Sequence, residues 1–310
     1  MIYTITLNPA LDREMTVLDI NLDRVLRATA IQVDYGGKGF NVSRALLAMG
    51  MESIALGFMG GATGDQLIAG LAQLGVRTDF VRVQGETRTN FSVVDAEHQH
   101  YLKVNEPGPI VMGTDAEAML GKISTLLKKG DWWVLAGSTP PGIGPDFITE
   151  IIHRIQAAGA LAILDMQGAC LQAGCEARAF LVKPNASEAG ELLGCQIHNI
   201  AEAHTALARI HGLGATQAAI SLGKLGAVYS NGMGSWWAKP PEVKERNPIG
   251  AGDAMLAGMI WAFQMGMTGK EVLKWGVASG AAAASLDGTA VGSFQLTESL
   301  ANKVQLGDFL

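Results

Sequence analysis

A loop rich in glycine precedes one acidic residue that could act as a base. Residues 247–258 read Asn-Pro-Ile-Gly-Ala-Gly-Asp-Ala-Met-Leu-Ala-Gly, and the second half of this segment has the composition of a helix. Small residues let consecutive backbone N–H groups converge at a helix N-terminus, where the helix dipole also favours an anion. Asp253 would stand beside such an anion hole and could take a proton from an attacking hydroxyl. The alternative is that Asp253 is only an N-cap.

A second polar cluster follows a short apolar run. Pro184 comes after Lys183 and ends the predicted strand, and Asn185 is followed three residues later by Glu188. An asparagine and a glutamate at this spacing resemble a capping box, in which the two side chains satisfy the first N–H groups of a helix. The functional alternative is that Asn185 and Glu188 hold the hydration shell of a magnesium ion beside a triphosphate.

A third cluster lies near the N-terminus. Residues 36–41 read Gly-Gly-Lys-Gly-Phe-Asn and precede a predicted helix at residues 42–49, so Lys38 and Asn41 could bind a polar ligand there. A solvated lysine in a turn is the alternative. The glycines fail the dinucleotide fingerprint, and the chain has no G-x-x-x-x-G-K-[S/T] sequence, which argues against a Rossmann or a P-loop nucleotide site. Asp12 follows the first strand, where ligands of α/β sheets collect.

These clusters need a sheet to position them, and the apolar runs predict one. Continuously apolar segments alternate with amphipathic ones, as expected of parallel strands covered on both faces. The predicted strands include residues 132–137, 161–165, 180–183 and 218–222, and the predicted helices include residues 145–158 and 201–211. The pattern predicts a doubly wound, mostly parallel α/β sheet in a single domain, residues 1–310.

Two segments interrupt this alternation. Residues 12–35 and 87–105 contain strand-like runs, two of which, 89–95 and 99–104, flank a plausible hairpin turn at residues 96–98. We therefore expect a discontinuous lid, a small antiparallel sheet that could cover a site and exclude water. The alternative is an edge hairpin that has no role in a binding site.

Composition limits the possible partners. The 310 residues are 48% hydrophobic and carry 23 basic against 29 acidic side chains, a formal charge of −6. This balance predicts no general attraction to nucleic acid or to an anionic membrane, so an anionic substrate would need a local cationic pocket. The first residues lack the features of a signal peptide, and the three cysteines form no metal-binding pair. We expect a cytoplasmic protein.

The clusters together resemble the PfkB group of ribokinase-like carbohydrate kinases over essentially the whole chain. The two strongest matches are residues 36–46, with 60–65 beyond them, and residues 247–258. Weaker matches are residues 4–12, 87–90, 105–108, 137–142, 182–188 and 221–223. The start of the chain and residues 105–109 look most like the phosphofructokinase and tagatose-6-phosphate kinase branch.

The resemblance implies ATP-dependent phosphoryl transfer with magnesium. Asp253 would take the proton of the acceptor hydroxyl while the amides of Gly250, Ala251 and Gly252 stabilise charge on the transferred group. Magnesium would lie near Asn185 and Glu188. The nucleotide side would be lined by Lys183, Asn185, Ser221, Gly223, Gly250 and Gly252. The sugar side would be formed by Asp12, Gly36, Gly37, Lys38, Asn41, Arg88, Asn90, Lys103 and Ser138, with Arg27 as a further cation for the sugar phosphate.

The expected substrate is a phosphorylated ketohexose, with fructose 1-phosphate first and tagatose 6-phosphate or fructose 6-phosphate as alternatives. A kinase of an unphosphorylated sugar or nucleoside, and a binding protein without turnover, stay open. Two departures from the family pattern are Asn247-Pro248-Ile249 and Asp165-Met166-Gln167-Gly168. We expect the lid, whose strand edges should not remain bare in water, to form a homodimer.

Overall fold

The structure is a computed structural model, and it describes residues 1–21, 23–95 and 100–309. Within these residues a central sheet has eleven strands in the order β15-β14-β13-β12-β11-β10-β9-β1-β4-β5, with β6 beside β4. The strands are β1 Ile2–Thr6, β4 Ile54–Met59, β5 Arg77–Thr78, β6 Val81–Arg82, β9 Trp132–Ala136, β10 Leu161–Asp165, β11 Leu181–Val182, β12 Gln217–Ser221, β13 Ala227–Ser230, β14 Ser235–Lys239 and β15 Gln305–Asp308. Pairing is parallel from β5 to β12 and antiparallel from β12 to β15.

Helices cover both faces of this sheet. They are α1 Lys38–Ala48, α2 Gly61–Gln73, α3 Gly113–Leu126, α4 Pro145–Ala157, α5 Gly168–Glu176, α6 Ala186–Leu193, α7 Ile200–Gly212, α8 Ala251–Gln264, α9 Lys270–Ala284 and α10 Phe294–Ala301. Strand β9 shows why two layers are needed: Trp133 and Leu135 enter one apolar core, and Val134 enters the core on the opposite face. A strand that is buried on both faces has no polar side, which explains its continuous apolar sequence.

Helix α8 carries the predicted base and is apolar almost all round. It is buried between the sheet and α9, so nearly every position of its middle turns faces protein. Gly258 allows the close packing, because a Cβ there would lie 2.5 Å from the carbonyl oxygen of Trp275 in α9. The start of α8 is therefore held rigidly at the carboxyl edge of the parallel strands.

A separate four-stranded sheet stands beside the central one. It runs β3-β2-β7-β8, with β2 Ala10–Val17, β3 Ala30–Gly36, β7 Arg88–Asp95 and β8 Tyr101–Asn105. The outer pairs are antiparallel. The central pair of β2 and β7 is parallel, which is possible because the two strands come from separate insertions and a long stretch of chain connects them. We call this sheet the lid.

The predicted fold class is confirmed: a mostly parallel α/β sheet with a separate small sheet. The strand prediction for residues 161–165 matches β10 at both ends, whereas the helix predicted at residues 42–49 begins earlier, at Lys38. The hairpin turn predicted at residues 96–98 lies outside the described residues. Among the helices of the described residues, none has the length and apolar character needed to cross a membrane.

Candidate active site

Three helices begin near the carboxyl ends of the parallel strands, and their first residues carry most of the predicted site. Helix α1 begins after Gly37, α6 after Asn185 and α8 after Gly250. Gly250 has φ 79°, in the left-handed region that favours glycine, and this conformation turns the loop into α8. The N–H groups of the first turn of a helix have no partners within the helix and can bind an anion.

Asp253 lies in the first turn of α8 and is only 6% exposed. Gly250, not Asp253, occupies the N-cap position, so the N-cap alternative does not describe this residue. The carboxylate accepts a hydrogen bond of 2.8 Å from the side-chain amide of Asn41 in α1. Burial, together with the negative charge of Asp165, raises the pKa of Asp253 to about 7, although the Asn41 hydrogen bond opposes the shift. A carboxyl with this pKa can serve as a general base near neutral pH.

A buried ion-pair network surrounds the base. Asp165, at the end of β10, is 1% exposed and lies 2.9 Å from the Lys38 ammonium through Oδ1 and 2.8 Å from the Lys183 ammonium through Oδ2. Lys38 also lies 3.3 Å from Glu188. Burial alone would raise the pKa of Asp165, but the two ammonium groups outweigh it and hold that pKa below its usual range. The same carboxylates hold the pKa of Lys38 above its usual range, against the effect of burial.

Asn185 and Glu188 form the predicted capping box. The Asn185 N–H donates to Glu188 Oε2 at 2.8 Å, and the Glu188 N–H donates to Asn185 Oδ1 at 2.9 Å. The structural interpretation is thus confirmed, and it leaves Glu188 Oε1 turned towards Lys38. No cluster of three or more His, Cys, Asp or Glu side chains that could hold a metal ion occurs in residues 1–21, 23–95 and 100–309. One carboxylate and one amide oxygen fit magnesium that retains waters and takes its other ligands from phosphates.

The predicted nucleotide side includes an open pocket. Asn185, Ser221 and Gly223 line a cavity of about 330 Å³, and Asn185 and Ser221 form an isolated parallel bridge. Gly223 begins a short 3₁₀ turn with φ 56°, a conformation that suits glycine. Lys183 comes close to the anion hole, because a Cβ on Gly252 would lie 3.6 Å from its ammonium nitrogen.

The segment before α8, which departs from the family pattern at residues 247–249, is fixed by hydrogen bonds of Asn247. Its side-chain N–H donates to the carbonyl of Gly288 at 3.0 Å, and its side-chain oxygen accepts from the Ile249 N–H at 2.9 Å. The neighbouring Thr289 hydroxyl donates to Asp34 of lid strand β3 at 2.9 Å. A single asparagine therefore fixes the loop entering the anion hole against a segment that also contacts the lid.

The predicted sugar side joins the lid to the central sheet. Asp12 on β2 accepts a hydrogen bond of 2.7 Å from Asn90 on β7, and burial raises the pKa of Asp12. Gly36 makes room for this carboxylate, since a Cβ there would lie 2.1 Å from Asp12 Oδ2. Asn90 Oδ1 is buried without a hydrogen-bond partner among the described residues.

The predicted cations of the sugar side differ in their bonding partners and in their exposure. Arg88 donates to the carbonyls of Asn8 and Glu106 at 2.9 and 3.1 Å and to the Ser138 hydroxyl at 3.4 Å, while its Nε–H is buried without a partner among the described residues. Lys38 belongs instead to the buried network around Asp165. Lys103 on β8 and Arg27 between β2 and β3 are exposed.

Sequence reasoning missed two residues of this region. For Asp165, the departure from the family turn indicates a sugar-side or structural role but not its contacts with two lysines, although its place at the end of a buried strand marks it as a site candidate. Asn8 is buried and donates to the carbonyls of Pro107 and Thr139 at 3.1 and 3.3 Å, which fixes the loops beside Arg88. No sequence signal identifies these carbonyl partners, which lie 99 and 131 residues away.

Comparisons with known proteins show which family the chain resembles. The profile of "pfkB family carbohydrate kinase" matches residues 6–295. The chain is 34% identical over 284 residues to 1-phosphofructokinase of Bacillus subtilis, covering 92% of each chain, and 31% identical to tagatose-6-phosphate kinase of Staphylococcus epidermidis, covering 88% of this chain and 89% of the relative. The solved structure of phosphofructokinase-2 from Escherichia coli in complex with potassium superposes with a TM-score of 0.92 at 30% identity, covering 97% of this chain and 98% of that one.

Proposed function

The chain belongs to the pfkB family of carbohydrate kinases, and from this membership we propose that it phosphorylates fructose 1-phosphate with ATP to give fructose 1,6-bisphosphate. The relatives named 1-phosphofructokinase, 34% identical in Bacillus subtilis, favour this substrate. The observation that carries the chemistry is the buried Asp253 carboxylate, held by Asn41 in the first turn of α8 directly after the glycine loop. Such an arrangement places a base next to an anion hole.

In the proposed reaction the acceptor hydroxyl oxygen attacks the γ-phosphorus and forms a new P–O bond. The bond between the γ-phosphorus and the β,γ-bridging oxygen breaks, ADP leaves, and the hydroxyl proton passes to Asp253. The amides of Gly250, Ala251 and Gly252 would stabilise the negative charge of the transferred group. The pKa of Asp253, about 7, means that much of the enzyme already carries the base in its ionised form at neutral pH.

The nucleotide would bind between the starts of α6 and α8. The cavity lined by Asn185, Ser221 and Gly223 supports this placement, and the Lys183 ammonium next to Gly252 would contact the phosphates. Asn185 and Glu188 would hold magnesium through its waters, and the metal would neutralise phosphate charge when bound. Because Glu188 already caps α6, its position does not depend on the metal.

The sugar would lie against the polar face of the lid. Asp12 and Asn90 would bind its hydroxyls, and the unpartnered Nε–H of Arg88 would bind its phosphate. The walls of the sugar site would be completed by Gly36, Gly37, Ser138 and Lys103. Among the described contacts, Arg88 donates to backbone carbonyls and a hydroxyl rather than to a carboxylate, although the charges of Asp12 and Glu106 act on it. A cation held in this way keeps much of its charge available for an anion.

Tagatose 6-phosphate is the second candidate substrate, because a relative with that activity in its name is 31% identical over 88% of this chain. A panel of sugars with coupled ADP detection separates the candidates. The proposal expects the highest kcat/KM for fructose 1-phosphate and little turnover of unphosphorylated fructose, ribose or adenosine. A clear preference for an unphosphorylated acceptor would refute the phosphate-dependent part, and saturable binding without ADP release would refute catalysis.

We also propose that the lid forms a homodimer with a second copy of the chain. Backbone register puts Asp12, Asn90 and Asn105 on one face of the lid, and Ile31, Met15, Val93 and Leu102 in a row across the other. Ile31 and Leu102 are 62% and 50% exposed. An apolar row across four strands is a surface that association would bury. The support comes from this face, whereas the sequence argument relied on strand edges.

A further inference from the structure

Asp165 is the one carboxylate of the described residues whose two oxygens each contact a lysine ammonium. Oδ1 binds Lys38 at the start of α1, and Oδ2 binds Lys183 after β11. The two lysines are 145 positions apart in the chain, so a residue between them in space is needed to fix their separation. Lys183 and Asp165 are almost completely buried, while the Lys38 side chain is 37% exposed.

The network lies against the groups proposed to perform the transfer. The ammonium of Lys183 is near Gly252 of the anion hole, and the charges of Lys38, Lys183 and Asp165 all act on the Asp253 carboxylate. The Lys183 ammonium lies 2.8 Å from Asp165 Oδ2, a charge-assisted contact that lowers the pKa of Asp165. The position of this ammonium therefore depends on the Asp165 carboxylate.

We infer that Asp165 is a positioning residue for phosphoryl transfer: its two carboxylate oxygens hold the ammonium groups of Lys38 and Lys183 beside the anion hole and next to Asp253. The inference rests on the proposed kinase function and adds a role to a residue that touches neither substrate in that proposal. The two ammonium groups are balanced by the carboxylates of Asp165 and Glu188, so Asp165 fixes the lysines in place without adding a net charge to the network.

A purely structural role does not explain why these charges are gathered beside Asp253. A buried ion pair contributes little net stability compared with well-packed apolar residues, so stability alone gives no reason to gather three charges beside a base. The chain also contains a matched structural case. Asp131 is 5% exposed, precedes β9 at the opposite end of the parallel strands, and pairs with the N-terminal ammonium at 2.9 Å.

The test compares Asp165→Asn with the unchanged enzyme, using fructose 1-phosphate and magnesium ATP. Loss of the charge removes the repulsion on the Asp253 anion and leaves the positive charges of Lys38 and Lys183 unbalanced. Both effects favour the ionised base, so the acid limb of the pH profile of kcat/KM should move to lower pH by about one unit. The value of kcat at the optimum should fall about 100-fold, because the lysines lose their fixed positions.

Two further variants separate positioning from structure. Asp165→Glu keeps the charge but displaces it, so kcat should fall while the acid limb stays where it is in the unchanged enzyme. Asp131→Asn should lower the free energy of unfolding without moving the limb. An Asp165→Asn enzyme that folds, turns over and retains the original limb would overturn the inference.

If Asp165→Asn does not fold, Asp165→Glu decides, since it keeps the charge and changes only where the two oxygens lie. Its kcat should fall, and a kcat equal to that of the unchanged enzyme would overturn the inference. Failure of the kinase proposal gives a different result, because the unchanged enzyme would then release no ADP with any sugar phosphate. Failure of the Asp165 inference alone would leave an active enzyme whose pH profile does not respond to replacement of Asp165.

Discussion

The Asp253 carboxylate accepts a hydrogen bond of 2.8 Å from the side-chain amide of Asn41, a residue 212 positions earlier in the chain. This bond joins the starts of α8 and α1 across the site. Because the amide stabilises the ionised carboxylate, it counters part of the effect of burial on the pKa of Asp253. The acidity of the proposed base therefore depends on the relative position of two helices.

The first prediction concerns this bond. Asn41→Ala removes a donor to the ionised form of Asp253, so the pKa of the base should rise from about 7, and the acid limb of kcat/KM should move to higher pH by about one unit. Ser43→Ala is the control, because Ser43 is buried in the same helix but bonds to Thr4 and Ser53 at 2.8 Å. A limb that is unmoved in Asn41→Ala and in the control alike would contradict the role of Asn41.

The second prediction concerns Asp253 itself. Asp253→Asn should lower kcat by about three orders of magnitude, because the proton acceptor is lost while the Asn41 contact can persist. A folded-state pKa of about 7 lies above the ordinary value of 3.8. The unfolded chain therefore loses this proton at lower pH, and the carboxyl destabilises the fold increasingly as pH rises from about 4 to 7.

Urea unfolding at two pH values checks the sign of this effect. For a shift of this size, Asp253→Asn should be more stable than the unchanged protein at pH 8 by roughly 4 kcal/mol, and the difference should shrink to roughly 1 kcal/mol at pH 4.5. A variant that is less stable at pH 8 would show that the carboxylate is a structural group. Turnover close to normal would remove Asp253 from the mechanism.

The third prediction concerns the sugar phosphate. Arg88→Ala should raise KM for fructose 1-phosphate by about 100-fold, because a charge-assisted contact to phosphate is lost, and should change KM for unphosphorylated fructose much less. Arg82→Ala is the control, since Arg82 is more than half exposed and pairs only with the similarly exposed Asp65 in the contacts described. An equal rise of KM for both sugars would place the phosphate elsewhere.

The fourth prediction concerns the apolar face of the lid. Leu102→Glu places a charge in the row that also contains Ile31, so association through this face would bury an unpaired carboxylate and should fail. Light scattering should give the mass of a dimer for the unchanged protein and of a monomer for the variant. Met233→Glu, at a 93% exposed position between β13 and β14, should leave the mass unchanged. A monomeric unchanged protein at micromolar concentration would contradict the proposal.

The fifth prediction concerns the loop before α8. Asn247→Ala removes the bonds to Gly288 and Ile249, so the anion hole should be less well ordered and KM for ATP should rise about tenfold. Asn231→Ala removes comparable turn bonds to Met233 and Gly234 between β13 and β14. That control should lose a similar amount of stability, about 1 kcal/mol, with KM for ATP unchanged.

The sequence predicted those features that arise from local pattern. The apolar run at residues 161–165 is β10 itself, and the Asn185 and Glu188 spacing is the capping box observed. The start of α1 was placed too late because Lys38-Gly39-Phe40 has the composition of a loop. Gly39 is needed there for tertiary reasons, since a Cβ would lie 2.6 Å from Thr6 Oγ1 in the neighbouring strand.

The remaining features depend on contacts between distant segments. The network of Asp165 joins residues from α1, β10 and the segment between β11 and α6, and no local signal pairs them. The parallel pairing of β2 with β7 likewise follows from how two insertions meet. The motifs indicated which residues gather at the site, but the distances that set the acidity of Asp253 required the folded chain.

The alternation of side chains in β2 has a consequence for tolerance to insertions and deletions. Asp12 points to the polar face of the lid, and its neighbours Leu11 and Arg13 point to the opposite face. Removing one residue just before Asp12 would exchange the two faces of the strand, placing apolar groups on the face proposed to bind the sugar and acidic groups on the face proposed to meet the partner copy. Single-residue changes in chain length should therefore be excluded from this strand.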